Sequence, residues 1–398
     1  MVAIRTSFPW RGFRTLVRVG QTARWPGLML ILRHRLASLL QSRSQMTSNI
    51  LLRGRNRNGN PQPPVLFQMA AGYWLSQGIY VAAKLGVADL LKDGPMPCGQ
   101  LAAATGTDER SLYRLLRALS SAGIFVSLKN DRFALTNLGK SLQKDIPGSL
   151  RAMVITLGET HYQAWGGLLH SIRTGSSAFQ DVFGAGLFDY LQRNAEAADA
   201  FNEGMADIAS MVAYAVGMAY DFSGISSIVD VGGGRGAFLR TLLKLNPHLH
   251  GTVFDLKSAH GEPDLEASGA RSDERCSVLV GDFFESVPQG ADAYTLCNII
   301  HDWDDDHSVR ILRNCRRAMS KNGRLLLVEM VVPDDDANCF SKLLDVNMLV
   351  MTGGAERTEG EFNKLLDTAG FKLTRIVRTM GPPSVIEAVP KVQGSERE

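Results

Sequence analysis

The stretch from Ser227 to Leu239, Ser-Ile-Val-Asp-Val-Gly-Gly-Gly-Arg-Gly-Ala-Phe-Leu, limits the possible folds more than any other part of the chain. Ile228, Val229 and Val231 make a short apolar run suited to a buried strand. Gly232, Gly233, Gly234 and Gly236 follow at once, and Ala237 to Leu245 carries apolar residues at helical spacing. Strand, glycine turn and helix open a nucleotide-binding βαβ unit. Glycines suit such a turn because the backbone must bend tightly and let a ligand approach with no Cβ in the way.

The next strand narrows the ligand. Val253-Phe254-Asp255 ends a second apolar strand, and Asp255 lies 19 residues beyond Gly236. A carboxylate there can accept both ribose hydroxyls of an adenosine. The spacing G-x-G-x-G, in place of G-x-G-x-x-G, favours S-adenosylmethionine over a dinucleotide. Further strands are expected at 227–231, 251–255, 276–280, 291–298, 323–330, 371–377 and 384–389, with helices between them. This alternation is that of an α/β, Rossmann-like doubly wound sheet over residues 226–390, with 391–398 as a tail.

Upstream the character changes. Residues 1–60 hold eleven arginines and no Asp, Glu or Lys. The whole chain's net charge of +3 therefore rests on this segment, and the remainder is acidic, which argues against nucleic acid as a partner. Such a segment fits a disordered extension, a cleaved presequence, a late true start at Met46, or a weak membrane-surface contact. Residues 61–145 read as helix 66–91 broken near Gly86, a short helix over 100–105, a longer one over 108–120, and a hairpin around Lys129-Asn130-Asp131. Helix, turn, helix, hairpin is a winged-helix pattern, serving either DNA binding or dimerisation. Arg110, Arg114 and Arg117 are offset by Asp108 and Glu109, which favours the second. Residues 146–225 are helical. Their large side chains, among them His161, Trp165, Phe179 and Phe183, are core or the wall of a substrate pocket. The five cysteines are scattered and lack metal-ligand spacing, as expected of free thiols in a reducing, cytoplasmic compartment.

Candidate chemistry collects at strand ends. Gly281-Asp282-Phe283 follows the third strand, where an acid and an aromatic face the ligand. Asp282 suits an adenine amino group and Phe283 the ring, with a helix cap and a core Phe as the plainer alternatives. The fourth strand runs into Asn298-Ile299-Ile300-His301-Asp302. A histidine there faces the cleft and titrates near neutrality, as a general base should. Glu329 ends the fifth strand, and Glu356 stands in a loop before a helix. Either carboxylate can orient the imidazole, and either can instead be a cap or a surface ion pair. The run Asp302, Asp304, Asp305 and Asp306 suggests helix capping before it suggests a metal, and no metal is expected. Asn298, Asp302 and Met348 are further pocket candidates.

The strings VDVGGGRG, FDL, GDFFESVPQGADAY, IIHDWDDD, CRRAM, GRLLLVE and GGAERTEGEF, in this order, resemble the cation-independent, S-adenosylmethionine-dependent O-methyltransferases. That family includes plant caffeate-type, hydroxyindole, and bacterial polyketide and carotenoid enzymes. The resemblance covers roughly residues 62–390. It implies His301 as catalytic base with Glu329 and Glu356 as supports. It places the cofactor at Gly232, Gly234, Asp255, Asp282 and Phe283, and it implies a homodimer through the N-terminal winged-helix domain. Plant members carry a lysine where Cys297 stands, and residues 1–60 have no counterpart. The implied reaction is methyl transfer to a hydroxyl of a small, aromatic or polyketide-like metabolite. The rivals are a relative drifted to a non-methylating reaction, a small-molecule-sensing winged-helix regulator, and a metal-dependent catechol-type methyltransferase.

Overall fold

The structure, a computed structural model, describes residues 63–260, 274–336 and 339–391. The expectations for residues 1–60 and for all of the tail but Lys391 lie outside the described residues. The described residues fall into two units, one ending at Trp74 and one beginning at Leu75. In the first, helix Pro63–Ala70 presents Leu66, Phe67 and Met69 to the outside, and Phe67 meets Trp74 edge-to-face at 6.3 Å. No described helix is long and apolar enough to cross a membrane.

The second unit opens with short helices and a small antiparallel sheet. Helix Glu109–Ser121 starts where Asp108 accepts a hydrogen bond from the Ser111 N–H (2.8 Å), and it buries Leu112, Leu116 and Leu119 along one face. Strands β1 (Met96–Pro97), β2 (Phe125–Leu128) and β3 (Arg132–Leu135) pair in the order β1-β3-β2. The hairpin turn has φ of 60° at Asn130 and 51° at Asp131, a conformation these residue types tolerate. The third strand, β1, has no counterpart in the sequence expectations. A helical region comes next, including a π-helical turn at Leu157–His161, and it ends in the 25-residue helix Ala195–Ala219.

The main sheet contains β4 (Ser227–Val231), β5 (His250–Asp255), β6 (Cys276–Val280), β7 (Ala293–Cys297), β8 (Arg324–Glu329), β11 (Phe371–Arg378) and β12 (Ser384–Pro390). Between β8 and β11 lie the two-residue strands β9 (Val331–Val332) and β10 (Arg357–Thr358), which pair with each other in parallel. The order of the main sheet is β11-β12-β8-β7-β4-β5-β6, and β12 runs antiparallel to both of its neighbours. The strand order reverses between β4 and β7, and in such sheets ligands bind beyond the carboxyl ends at that point.

Both faces of the centre of this sheet are covered. Val229, Val231, Leu325 and Leu327 enter one core cluster, and Ile228, Leu326 and Val328 enter the other. Each buried side chain of this size contributes about 1.5–3 kcal/mol. That sum fixes register, because a slip by one residue would exchange the faces. Register in turn sets Asp230 opposite Thr295 and carries Glu329 to the end of β8 beside the turn after β7.

Candidate active site

The site is assembled by the turn after β7. Asn298 takes φ 55°, a left-handed conformation that Asn adopts more readily than most residues, and its N–H donates to the Val328 carbonyl (3.1 Å). The strand expected over 291–298 therefore stops at Cys297. A short 3₁₀ turn, Ile300–Asp302, then presents His301. Glu329 holds this turn from β8, since its Oε1 accepts the N–H of Ile299 (3.0 Å) and of Ile300 (2.8 Å).

His301 is gripped on one side. Its Nδ1 lies 2.7 Å from Glu356 Oε1 and 3.5 Å from Glu329 Oε2, and both carboxylates are wholly buried. A contact that short between a ring nitrogen and a carboxylate assigns the proton to Nδ1. Nε2 is then the atom that can take a proton, and Asp302 Oδ1 lies 3.8 Å from it. Burial alone would lower the pKa of His301, but Glu329, Asp302 and Glu356 together outweigh it and raise the value to about 10. Glu329 is pushed up to about 7, chiefly by burial, with His301 opposing and Glu356 adding to the rise. Asp302 is pushed up to about 6 by burial, against the pull of His301. Donor atoms of His301, Glu329 and Glu356 lie within 4.8 Å of one another, the one such metal-capable grouping among the described residues. A single shared proton accounts for the 2.7 Å contact.

Glu356 arrives from a distant loop, and Arg357 fixes it there. The buried Arg357 guanidinium donates to the carbonyls of Ile300 (3.1 Å), Trp303 (2.9 Å) and Ala355 (3.2 Å) and to Asp305 Oδ1 (2.8 Å). The Ala355 N–H donates to the His301 carbonyl (2.9 Å), and the Glu356 N–H donates to Asp345 (3.0 Å). Sequence reasoning missed Arg357 and Asp345. The aspartate run divides between these roles, with Asp304 capping helix Asp305–Ala318 through the His307 N–H (2.9 Å) and Asp305 pairing with Arg357.

The glycine turn lies at the carboxyl end of β4. Gly232, Gly234 and Gly236 have φ of 73°, 53° and 80°, and a Cβ on Gly234 would meet nothing within 4 Å. Asp255 Oδ2 accepts the Gly234 N–H (2.8 Å). Backbone bordering open space beside a carboxylate is what an adenosine-bearing cofactor needs. Asp282 accepts the Phe284 N–H (2.7 Å), and Phe283 meets Trp303 at 6.2 Å, so the expected adenine side adjoins the His301 turn.

The pocket candidates separate. The Trp165 indole N–H donates to Asn347 (2.8 Å). Phe179 stacks on Phe183 (4.4 Å) in a cluster that includes Val350 and Met351, and Met348 is buried on the same helix. His161 stands apart on the π-helical turn. Burial lowers its pKa to about 4, and its ring contacts are with Thr156 and Thr160 of its own segment.

Comparison with known proteins gives the family. The profile of the O-methyltransferase domain matches residues 165–372, and that of the O-methyltransferase dimerisation domain matches residues 67–145. The chain belongs to the O-methyltransferase family. It is 42% identical to the phenazine O-methyltransferase PhzM of Lysobacter antibioticus, over 84% of this chain and 98% of that one. It is 34% identical to a phenazine-1-carboxylate N-methyltransferase of Pseudomonas aeruginosa, over 78% of this chain and 92% of the other. Human N-acetylserotonin methyltransferase in complex with SAM superposes with a TM-score of 0.77 at 27% identity, over 83% of this chain and 97% of that one. The protein is thus a methyltransferase that uses S-adenosylmethionine.

Proposed function

We propose that this methyltransferase acts on a hydroxyl oxygen of a small, aromatic or polyketide-like secondary metabolite, with His301 as the general base. The observation that carries the reading is the 2.7 Å contact of His301 Nδ1 with the buried Glu356, which leaves Nε2 to accept a proton. Bound S-adenosylmethionine supplies an electrophilic methyl on a sulfonium sulfur. The chain must align a nucleophile with it and remove one proton. Nε2 takes that proton, and Glu356 and Glu329 stabilise the resulting imidazolium. In the empty site the same carboxylates keep His301 protonated through neutrality. The neutral base is therefore the minor form at neutral pH, and turnover rises with pH toward that pKa.

Relatives include N-methyltransferases, so the choice of oxygen rests on this base. An amine nitrogen attacks with a lone pair already free, whereas a hydroxyl gains from losing its proton. Replacing His301 by Ala should lower turnover by at least ~100-fold, the low end for a general base, with S-adenosylmethionine affinity nearly unchanged. The assay is labelled methyl transfer to a panel of phenolic, polyketide and carotenoid hydroxyls and matched arylamines. Undiminished turnover in the variant, or transfer confined to the amines, would reject the reading.

The same reading covers organisation. Residues 61–145 form the dimerisation domain of a homodimer, 146–225 line the substrate pocket, and 226–390 bind the cofactor in a cytoplasmic enzyme. The dimerisation-domain match and the exposed Leu66, Phe67, Met69 and Trp74 support the first of these.

A further inference from the structure

Asp230 has no part in the chemistry above, yet it is the most constrained carboxylate near the glycine turn. It sits in β4 and is 1% exposed. Its Oδ1 accepts the Thr295 hydroxyl from β7 (2.9 Å), and its Oδ2 has no hydrogen-bond partner among the described residues. Oδ2 lies directly beneath the turn, 2.7 Å from where a Cβ on Gly233 would stand. Among the described residues the titratable groups around it are Asp255 from β5 and the Cys297 thiol from β7, and neither can supply positive charge. A buried carboxylate with one oxygen unsatisfied and no cation beside it is costly unless it is protonated or a cation joins it.

We infer that Asp230 is a proton-linked charge sensor for the cofactor, protonated in the empty site and ionised when the cationic end of S-adenosylmethionine settles over the glycine turn. Burial raises the pKa of Asp230 to about 7, with the Thr295 hydroxyl opposing and Asp255 adding to the rise, so the group titrates where such a switch operates. The sign comes from linkage. Below its pKa the empty site holds a proton that the bound site does not, so binding releases it and affinity grows with pH until the carboxyl is already ionised. The inference rests on the glycine turn being the cofactor site.

The test is calorimetric titration of S-adenosylmethionine into the full chain at pH 6 and pH 8, in buffers of differing ionisation heat. Wild type should release about one proton per site at pH 6 and little at pH 8, and its affinity should fall by up to ~tenfold per pH unit below about 7. Glu329 and Asp302 also titrate in this range, so the quantity to read is the difference between wild type and Asp230→Asn. The variant should lose the release and the pH dependence together. Thr295→Val gives a second reading should Asp230→Asn fail to fold. It removes the hydroxyl that favours the ionised carboxyl, so proton release should move to higher pH. S-adenosylhomocysteine retains the ammonium and lacks the sulfonium. Release with both ligands assigns the charge to the ammonium, and release with S-adenosylmethionine alone assigns it to the sulfonium. If the cofactor binds wild type without proton release, or Asp230→Asn releases as much as wild type, the sensor is refuted and the cofactor reading stands. If wild type binds no cofactor, that reading falls first and the sensor with it.

Discussion

Replacing Glu356 by Gln tests the support of the base without removing the base. Gln has the shape of Glu, and its amide oxygen can still accept from His301 Nδ1 at the 2.7 Å observed. What is lost is the negative charge opposite a ring that becomes positive on taking a proton. A hydrogen bond to a charged group is worth ~1.5–3 kcal/mol against about 1 for a neutral one. With both partners buried, little of the difference is screened. The difference is about 0.5–2 kcal/mol, so if the charge acts mainly on the imidazolium formed in the transition state, kcat should fall by ~2–30-fold, each ~1.4 kcal/mol being a factor of ten. The pH profile should move as well. Glu356 is one of the groups that raise the pKa of His301, so its loss lowers that pKa. The neutral base is the active form, and activity rises with pH through the pKa. The ascending limb of kcat/KM therefore shifts to lower pH, and the deficit of the variant narrows in acid. The assay is steady-state turnover of the full chain across pH, with cofactor affinity measured separately. The His301→Ala, Glu356→Gln double variant should be no slower than His301→Ala alone, because the two residues act as one unit. Turnover equal to that of wild type and an unmoved limb would refute the reasoning, which assigns Glu356 a transition-state role.

Three further outcomes are expected. Asp255→Ala should weaken S-adenosylmethionine binding by roughly 2–3 kcal/mol, as for lost hydrogen bonds to a charged group, and equal affinity by calorimetry would remove it from the ribose. Gly354→Ala places a Cβ 2.1 Å from the His301 carbonyl oxygen, so the loop must shift and carry Glu356 with it. Turnover should fall by at least ~10-fold at an unchanged cofactor affinity, in keeping with the sensitivity of catalysis to small misplacements. A chain beginning near Asn60 should stay soluble, dimeric and active by size-exclusion chromatography and turnover. It should also lose any salt-sensitive sedimentation with anionic vesicles that the eleven arginines confer.

The main sheet was legible because its central strands are buried on both faces and so read as apolar runs with abrupt ends. β4, at 227–231, lies where such a run does, and β6, at 276–280, follows its apolar run although Val278, Leu279 and Val280 are exposed. β7 is shorter than its apolar run because Asn298 leaves the strand for a left-handed turn, a change of backbone that composition does not mark. The two-residue strands β1, β9 and β10 carry no periodicity and exist only through tertiary pairing. His301 and Glu329 stood out as polar residues closing apolar strands. Glu356 did not: nothing in its spacing says that a loop 55 residues further on returns to the same imidazole. By position it was one carboxylate that could orient the imidazole or equally be a cap or a surface ion pair, and the resemblance to a family chose between them.

Arg357 shows why that return escaped the sequence. An arginine between a glutamate and a threonine before an acidic helix reads as solvated charge, yet this one is 3% exposed. Its planar fork suits the role, since a guanidinium can bond several carbonyls at fixed angles. Through Ile300, Trp303 and Ala355 it ties the His301 turn to the Glu356 loop backbone to backbone. The Ala355 N–H to His301 carbonyl bond repeats the tie, and β10 pairs with β9, which comes one residue after β8 and Glu329. Beyond β10, the Thr358–Glu361 capping box starts the next helix and ends the loop's freedom. The separation of His301 from Glu356 is thus set by contacts neither side chain makes. Two carboxylates beside one imidazole would repel each other apart if left to themselves. Held from behind, they stay aimed at Nδ1 whether or not the ring carries its second proton. A base that must cycle between its two forms needs a surround that does not reorganise as it does so.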